Sequence, residues 1–397
     1  MALALVARAS LLVGVLFTRQ ETLAQFNIRD HRIQTYSVED GLSQSSIWCI
    51  MQDSQGFMWF GTADGLNRFD GYTFKVYRHD ASDSTSLRSN TVWSLLEDRH
   101  GTIWVGTLEG LHRFDRRTET FTYLPDDPSY RSARLNTLIY SLAEDGDGKI
   151  WVTSSRRLTV LNPSTDTFRE YRAADFGRKD EGLALRAHCA DEAGNVWLTC
   201  SDLLMQYEYS TKRFVKIPFP ERYPTASPTL YVDGSGVVWL GSAAAATGLY
   251  AYSKANNSWR RWMHDPKNPR SVSSDFIKTL CADEEGRLWV GTTSGGLNVF
   301  DEKRDEFTRV VPHSPTNTFY DKVASIYRDR SGLIWVGYDG AGVVKIDPHR
   351  NKFKHILLPP SRRKDTGDNF FKALMVDRNN RVWLGMYKQG VAVLDRR

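Results

Sequence analysis

Asp98-Arg99-His100-Gly101-Thr102-Ile103-Trp104-Val105-Gly106-Thr107 is the stretch that decides how this chain folds. An Asp with a Gly three residues later is tight-turn chemistry. The Asp side chain caps the turn, and Gly takes a positive φ at little cost. Ile103, Trp104 and Val105 are β-formers. Gly106, inside the strand, leaves room for a close neighbour. The stretch reads turn, strand, small residue.

The phrase recurs along the chain. Asp53/Gly56/Trp59, Asp98/Gly101/Trp104, Asp145/Gly148/Trp151 and Asp191/Gly194/Trp197 are the first four copies. Asp233/Gly236/Trp239, Asp283/Gly286/Trp289, Asp329/Gly332/Trp335 and Asp377/Asn380/Trp383 are the second four. Successive Trp residues lie 45, 47, 46, 42, 50, 46 and 48 positions apart. Asn380 stands where the other copies have Gly, and Asn is the next residue to tolerate a left-handed backbone. Repeats of this length, with strand and turn chemistry, read as propeller blades of four antiparallel strands. In the second copy the strands run from Val92 to Glu97, Thr102 to Thr107, Gly110 to Asp115, and onward from Phe121. The repeated side chains of Trp59, Trp104, Trp151, Trp197, Trp239, Trp289, Trp335 and Trp383 are expected in the core between adjacent blades. Burying each there contributes about 2–3 kcal/mol. The repeated Asp residues are expected to be structural.

The two ends differ from the middle. The last copy stops after Gly390 to Asp395, at the end of its third strand, while Ile33-Gln34-Thr35-Tyr36 resembles an orphan fourth strand. A propeller must hide its sheet edges. An N-terminal strand lent to the final blade would do so, and by repeat count alone this gives eight blades. Before it, Arg8 precedes the apolar run Leu11 to Phe17, and Thr22-Leu23-Ala24 offers a small-residue cleavage site. That is the shape of a secretory signal peptide over residues 1–24. The run is short for a membrane span, which needs about 20 apolar residues. Localisation is therefore expected to be periplasmic.

The 397 residues carry a formal charge of +5 with the signs mixed, and show no Lys/Arg stripe that would suggest nucleic acid. Cys49, Cys189, Cys200 and Cys281 form no CxxC and read as small buried hydrophobes. The nine His residues show no metal spacing, and no G-x-S-x-G occurs. No metal, cofactor or catalytic residue is therefore expected.

Gly41-Leu42-Ser43, Gly56-Phe57-Met58-Trp59-Phe60-Gly61-Thr62 and Gly65-Leu66-Asn67-Arg68-Phe69-Asp70-Gly71 together resemble the two-component regulator propeller repeat. That repeat fills the periplasmic sensor region of hybrid histidine kinases and of some diguanylate cyclases. The resemblance implies seven-bladed rings, usually two in tandem, followed by a β-sandwich, a membrane span and an output domain. Asp347-Pro348 to Phe353-Lys354-His355 resembles the passage from a first ring into a second. The expected organisation is then a propeller sensor domain over 27–347 and a further repeat over 348–397. The latter is either the start of a truncated second propeller or an eighth blade. The expected architecture is all-β, a seven-bladed ring plus a partial extra blade, with a closed eight-bladed ring as the alternative. Kinase and cyclase signatures do not occur, so output activity is not expected in this chain.

The repeats disagree most five residues before the turn Asp, at the entry of the inner strand: Trp48, Trp93, Tyr140, Arg186, Pro228, Lys278, Ala324 and Lys372. One step later the residues are small or compact: Cys49, Ser94, Ser141, Ala187, Thr229, Thr279, Ser325 and Ala373. If the variable set reaches the channel mouth, it combines aromatic platforms with cations. Aromatic faces stack on sugar rings, and Lys or Arg pairs with carboxylates. Trp48, Trp93, Tyr140, Arg186, Lys278 and Lys372 are therefore the candidate ligand-binding set. The partner is a small-molecule or oligosaccharide ligand, with self-association of a receptor besides. The alternatives are blade packing for these residues, a protein-binding scaffold for the chain, and, more weakly, a carbohydrate-active enzyme.

Overall fold

The structure, a computed structural model, describes residues 31–133, 135–154, 157–176, 185–200, 203–221, 227–310, 318–348, 371–378, 381–386 and 390–394. The N-terminal apolar segment, Asn380 and the side chains of Arg186 and Cys200 lie outside what is described. The chain divides into two compact units, Met1–Asn351 and Lys352–Arg397.

The first unit holds seven four-stranded antiparallel sheets. Blade 1 runs outward from the axis as Ile47–Gln52, Met58–Thr62, Gly65–Phe69 and Phe74–Tyr77. Blades 2 to 6 repeat this order, starting at Val92, Ile139, Leu185, Pro228 and Ile277. The innermost strands of neighbouring blades touch in sequence, and the contact between Ile47–Gln52 and Val323–Arg328 completes the circle. The seventh sheet takes Val323–Arg328, Ile334–Tyr338 and Val343–Ile346 from the end of the ring and Ile33–Tyr36 from its start. Ile33 pairs with Ile346 and Tyr36 with Val343. The lent strand therefore serves the seventh blade, and the eight-bladed alternative falls. The Tyr36 ring stacks on Trp335 at 5.9 Å, so this closure is packed as well as hydrogen-bonded.

The repeated Asp and Trp form one device. Asp98 Oδ1 accepts from the backbone N–H groups of His100 (3.0 Å) and Thr102 (2.9 Å), which sets the turn. Its Oδ2 accepts from Trp104 Nε1 at 2.8 Å. The indole bond occurs in all seven blades, at 2.6–2.9 Å. Trp59, Trp104, Trp151, Trp197, Trp239, Trp289 and Trp335 are all buried, as the sequence reading expects. Each packs into a cluster of apolar side chains. Around Trp59, Leu66 and Tyr77 of its own blade meet Val92, Val105 and Phe114 of the next. Trp197 of blade 4 packs with Val238, Leu240 and Tyr252 of blade 5. Trp289 of blade 6, fully buried, packs with Val323, Ile334 and Val336 of blade 7. Gly106 answers a second demand of the same interface. A Cβ there would lie 2.8 Å from Ile139 Cγ2 of blade 3.

Blade 2 makes an inner hydrogen bond differently from blades 1 and 6. Asn67 Oδ1 accepts from Ser43 N (2.9 Å), and Asn298 Oδ1 accepts from Ser273 N (3.2 Å). In blade 2 the position is His112, fully buried, whose Nε2 accepts from Arg88 N at 3.0 Å. Burial pushes its pKa down to about 4.

The second unit is a three-stranded sheet of Phe371–Val376, Val382–Met386 and Gly390–Leu394. Trp383 Nε1 donates to Asp377 Oδ2 at 2.9 Å, the same device again. Trp383 itself is half-buried, unlike the seven Trp side chains of the ring. Leu374, Met375, Val376, Val391 and Val393 are exposed on this sheet.

Two outcomes follow from these bonds. Asp98→Ala strips three donors of their acceptor in a buried turn, and should cost about 2–4 kcal/mol in urea unfolding. A loss below about 0.5 kcal/mol, the range of ordinary surface changes, would show that the Trp–Asp device is dispensable. The His112 imidazole binds a proton more readily unfolded than folded, so stability falls as pH drops from about 6.5 towards 4. That contribution amounts to about 3 kcal/mol when complete. In melting curves between pH 7.5 and 4.5, His112→Asn should lose less stability on acidification than the wild type; parallel losses would exclude this role.

Candidate functional site

The variable positions share a backbone feature. In blade 1, Ile47 pairs with Thr62 and Cys49 with Gly61, so Trp48 is an extra residue between them. The same register shift frees Trp93 between Val92 and Ser94, Tyr140 between Ile139 and Ser141, and Lys278 between Ile277 and Thr279. Ala324 occupies the bulge in blade 7. A bulged residue is released from the ladder and its side chain is re-aimed. Blade 5 has no such shift: Pro228 pairs directly with Ser242. In blade 4 the shift falls between Leu185 and His188 and includes Arg186.

Three of the bulge side chains meet across the axis. The rings of Trp48 and Trp93 stack at 4.9 Å and 18°. Lys278, four blades further round than Trp93, brings its Nζ to 5.8 Å from the Trp93 ring centroid. All three are half-buried. Burial lowers the Lys278 pKa, and the carboxylate of Asp339 acts the other way. Lys278 makes no ion pair within 4.0 Å among the described residues. The indole N–H groups of Trp48 and Trp93 are buried and find no acceptor among the described residues. Tyr140 is half-buried at the corresponding place in blade 3. Lys372 sits in the bulge between Phe371 and Ala373 of the three-stranded unit, outside the seven blades.

Asp339 belongs to this mouth and was missed by position counting. Its Oδ1 accepts from Ser46 Oγ at 2.6 Å, and the two residues form an isolated bridge between blades 7 and 1. A signal existed. The residue after the second strand is Ala63, Leu108, Ser155, Ser201, Ala243, Thr293 and Asp339 in the seven blades, and only the last is charged.

The small residues one step on face the next strand out or the neighbouring blade. Cys49 and Ser94 lie against Gly61 and Gly106 of the next strand out, and Ser325 Oγ donates to Ile47 O of blade 1 at 2.8 Å. Cys49, Cys189 and Cys281 are free thiols. Burial pushes Cys49 and Cys281 up to about 12, and Cys189 rises for the same reason. Among the described residues, no group of His, Cys, Asp and Glu is placed to hold a metal ion, and no helix is long and apolar enough to cross a membrane.

A cleft of about 210 Å³ lies elsewhere, between blades 3 and 4 on the face of the Asp-Gly turns. It lies among Trp151, Tyr171, Tyr207, Lys149 and Arg169, with Val160 paired to Trp151 on the next strand.

Fold and ring closure define the molecule as a seven-bladed β-propeller. Residues 41–64, 86–109, 134–156 and 271–294 match the two-component regulator propeller model. It is similar to histidine kinase P4 of Formosa agariphila, 56% identical over 54 residues, which are 14% of this chain and 4% of that protein. Among solved structures it resembles the extracellular domain of the putative hybrid two component system BT3049 of B. thetaiotaomicron, at TM-score 0.67 and 19% identity. That match covers 92% of this chain and 54% of the other. The extracellular domain of BT4673 from the same organism gives 0.63 at 20% identity, over 89% and 44%. The chain thus spans about half the length of these receptor domains. A streptogramin B lyase also shares the fold, at TM-score 0.58 and 15% identity over 80% of this chain and 97% of the lyase.

The ammonium of Lys278, without an ion pair within 4.0 Å among the described residues, gives a test of the mouth. Lys278→Met keeps most of the stem volume and removes the buried charge, so it should raise stability by about 1 kcal/mol, seen as a higher melting temperature. A clear fall would mean that Lys278 has a stabilising partner.

Proposed function

We propose that this chain is the ligand-recognising propeller of an extracellular sensor of the two-component type, exported to the periplasm through its N-terminal segment. Its ligand is a carbohydrate or another small extracellular molecule, bound at the channel mouth around Trp48, Trp93 and Lys278. The observation that carries this is the contrast between scaffold and mouth. Seven blades keep one Asp–Trp device, while the bulge residues at the channel entry range from Trp to Lys to Ala. Variation concentrated over a rigid frame is the ordinary arrangement of a binding site. Aromatic side chains near a cation at a concave opening suit a polar ring.

Recognition would act by biasing a receptor between two states through small shifts in blade contacts. The output domain would be a separate one. The three-stranded unit fits the start of a further propeller, with Trp383 and Asp377 repeating the blade device.

A scaffold that binds another protein is the second possibility. It is favoured by the exposed Leu374, Met375, Val391 and Val393.

Calorimetric titration of the purified chain with a panel of neutral and acidic oligosaccharides tests the proposal. Trp93→Ala and Trp48→Ala should each weaken binding about tenfold or more, in line with loss of a stacking platform. Binding unchanged in both variants would move the site away from the mouth.

A further inference from the structure

The mouth is rich in donors and poor in acceptors. Among the described residues, Trp48 Nε1 and Trp93 Nε1 have no hydrogen-bond partner, and Lys278 Nζ has no ion pair. Asp339 is the carboxylate whose charge acts on Lys278, and it is engaged by Ser46 Oγ. A half-buried ammonium without a counter-ion is unfavourable in the empty protein, and so are buried N–H groups without acceptors. A ligand oxygen can offset the first. An anion does so better than a neutral group, because hydrogen bonds to an ionised acceptor are roughly twice as strong as neutral ones.

Two further features limit which anion fits. The stacked indoles offer an aromatic surface next to the cation, so the ligand should carry its charge on a ring. The carboxylate of Asp339, whose charge acts on Lys278 and which accepts from the buried Ser46 hydroxyl, is a partner that sugar hydroxyl groups need. A phosphate or sulfate alone would use the cation and leave the indole faces idle.

Building on the mouth as the binding site, we propose that it selects uronic acid residues: the carboxylate bound by Lys278, the pyranose ring lying on the Trp48–Trp93 pair, and the hydroxyls meeting Asp339. The contacts form by association alone, with no bond made or broken.

The probe is a galacturonic acid trisaccharide, compared by calorimetry with the same trisaccharide methyl-esterified at every carboxylate. The two differ in charge and keep the same ring. Wild-type protein should bind the acid about tenfold or more tighter than the ester. Lys278→Met should bind both equally, at the affinity the wild type shows for the ester, and Lys278→Arg should restore part of the preference. Circular dichroism and the melting temperature of each variant confirm that it is folded. Equal binding of acid and ester by the wild type, weakened for both by Trp93→Ala, overturns the uronate inference and leaves the mouth as the site. Acid preference retained in Lys278→Met overturns the assignment to Lys278. Binding of neither trisaccharide overturns the uronate inference outright, and the neutral-sugar titrations of Trp93→Ala then decide separately whether the mouth binds at all.

Discussion

The bond from each tryptophan indole to the carboxylate six residues before it is the constraint on which the ring rests. A carboxylate is costly to bury unless several donors surround it. Here the turn supplies two backbone N–H groups and the strand supplies an indole. The spacing of the motif follows directly: one oxygen reaches the second and fourth residues on, and the other reaches the sixth. The bond also links two scales of structure. It fixes a local turn, and it orients a large ring that fills the gap between blades. A single blade has no partner for that ring, so the buried area is realised only when neighbours stand beside it.

Closure follows from the same logic. The apolar surface of the seventh blade needs blade 1 on its far side, and Trp335 indeed meets Ile47, Phe60 and Phe69 there. The strand Ile33–Tyr36 then ties the start of the chain to the last blade of the ring through backbone pairing and the stacked Tyr36. Glycine sets how near the blades can come. Where Gly106 admits Ile139, blade 3 has Thr153 in its place, and its hydroxyl lies 2.7 Å from Ser141 Oγ.

Much of this was legible in the sequence, because the motif is local. Asp98, Gly101 and Trp104 carry their own geometry, and eight repetitions make the architecture plain. The fourth copy has Leu203-Leu204 where the first has Gly65-Leu66, yet it keeps Trp197 in the core, since the Asp191 turn that orients it is intact. The blade count was less legible. Ile33-Gln34-Thr35-Tyr36 alternates as any outer strand does, and nothing in its residues says which sheet receives it. Curvature decides that, and curvature belongs to the whole ring. Lys372 shows the same limit: it has the right place in its repeat, yet its repeat stands outside the seven blades. Counting back from the turn Asp picked out the bulge positions of Trp48, Trp93 and Lys278, since the distance along an inner strand is the same in most blades. Asp339 escaped because it comes from a loop, where position along a strand is no guide. Pro228 had the right count but no bulge, because its pairing with the next strand runs without a register shift.

The bulge explains why variation gathers where it does. A residue within the ladder is held by pairing with the next strand out, and its side chain must suit a packed interface. Val92 and Ser94 are of that kind, one wedged between blades and the other facing Gly106. The residue between them is free of both demands. A tryptophan, a lysine or an alanine can stand there without disturbing a blade, so the fold imposes little on the chemistry of its own channel entry. Lys278 then becomes informative. A scaffold optimised for stability alone would place an apolar side chain against the Trp93 ring. An ammonium kept there with no ion pair within 4.0 Å among the described residues goes against the interest of the fold. Such departures concentrate at sites where something other than folding is being served.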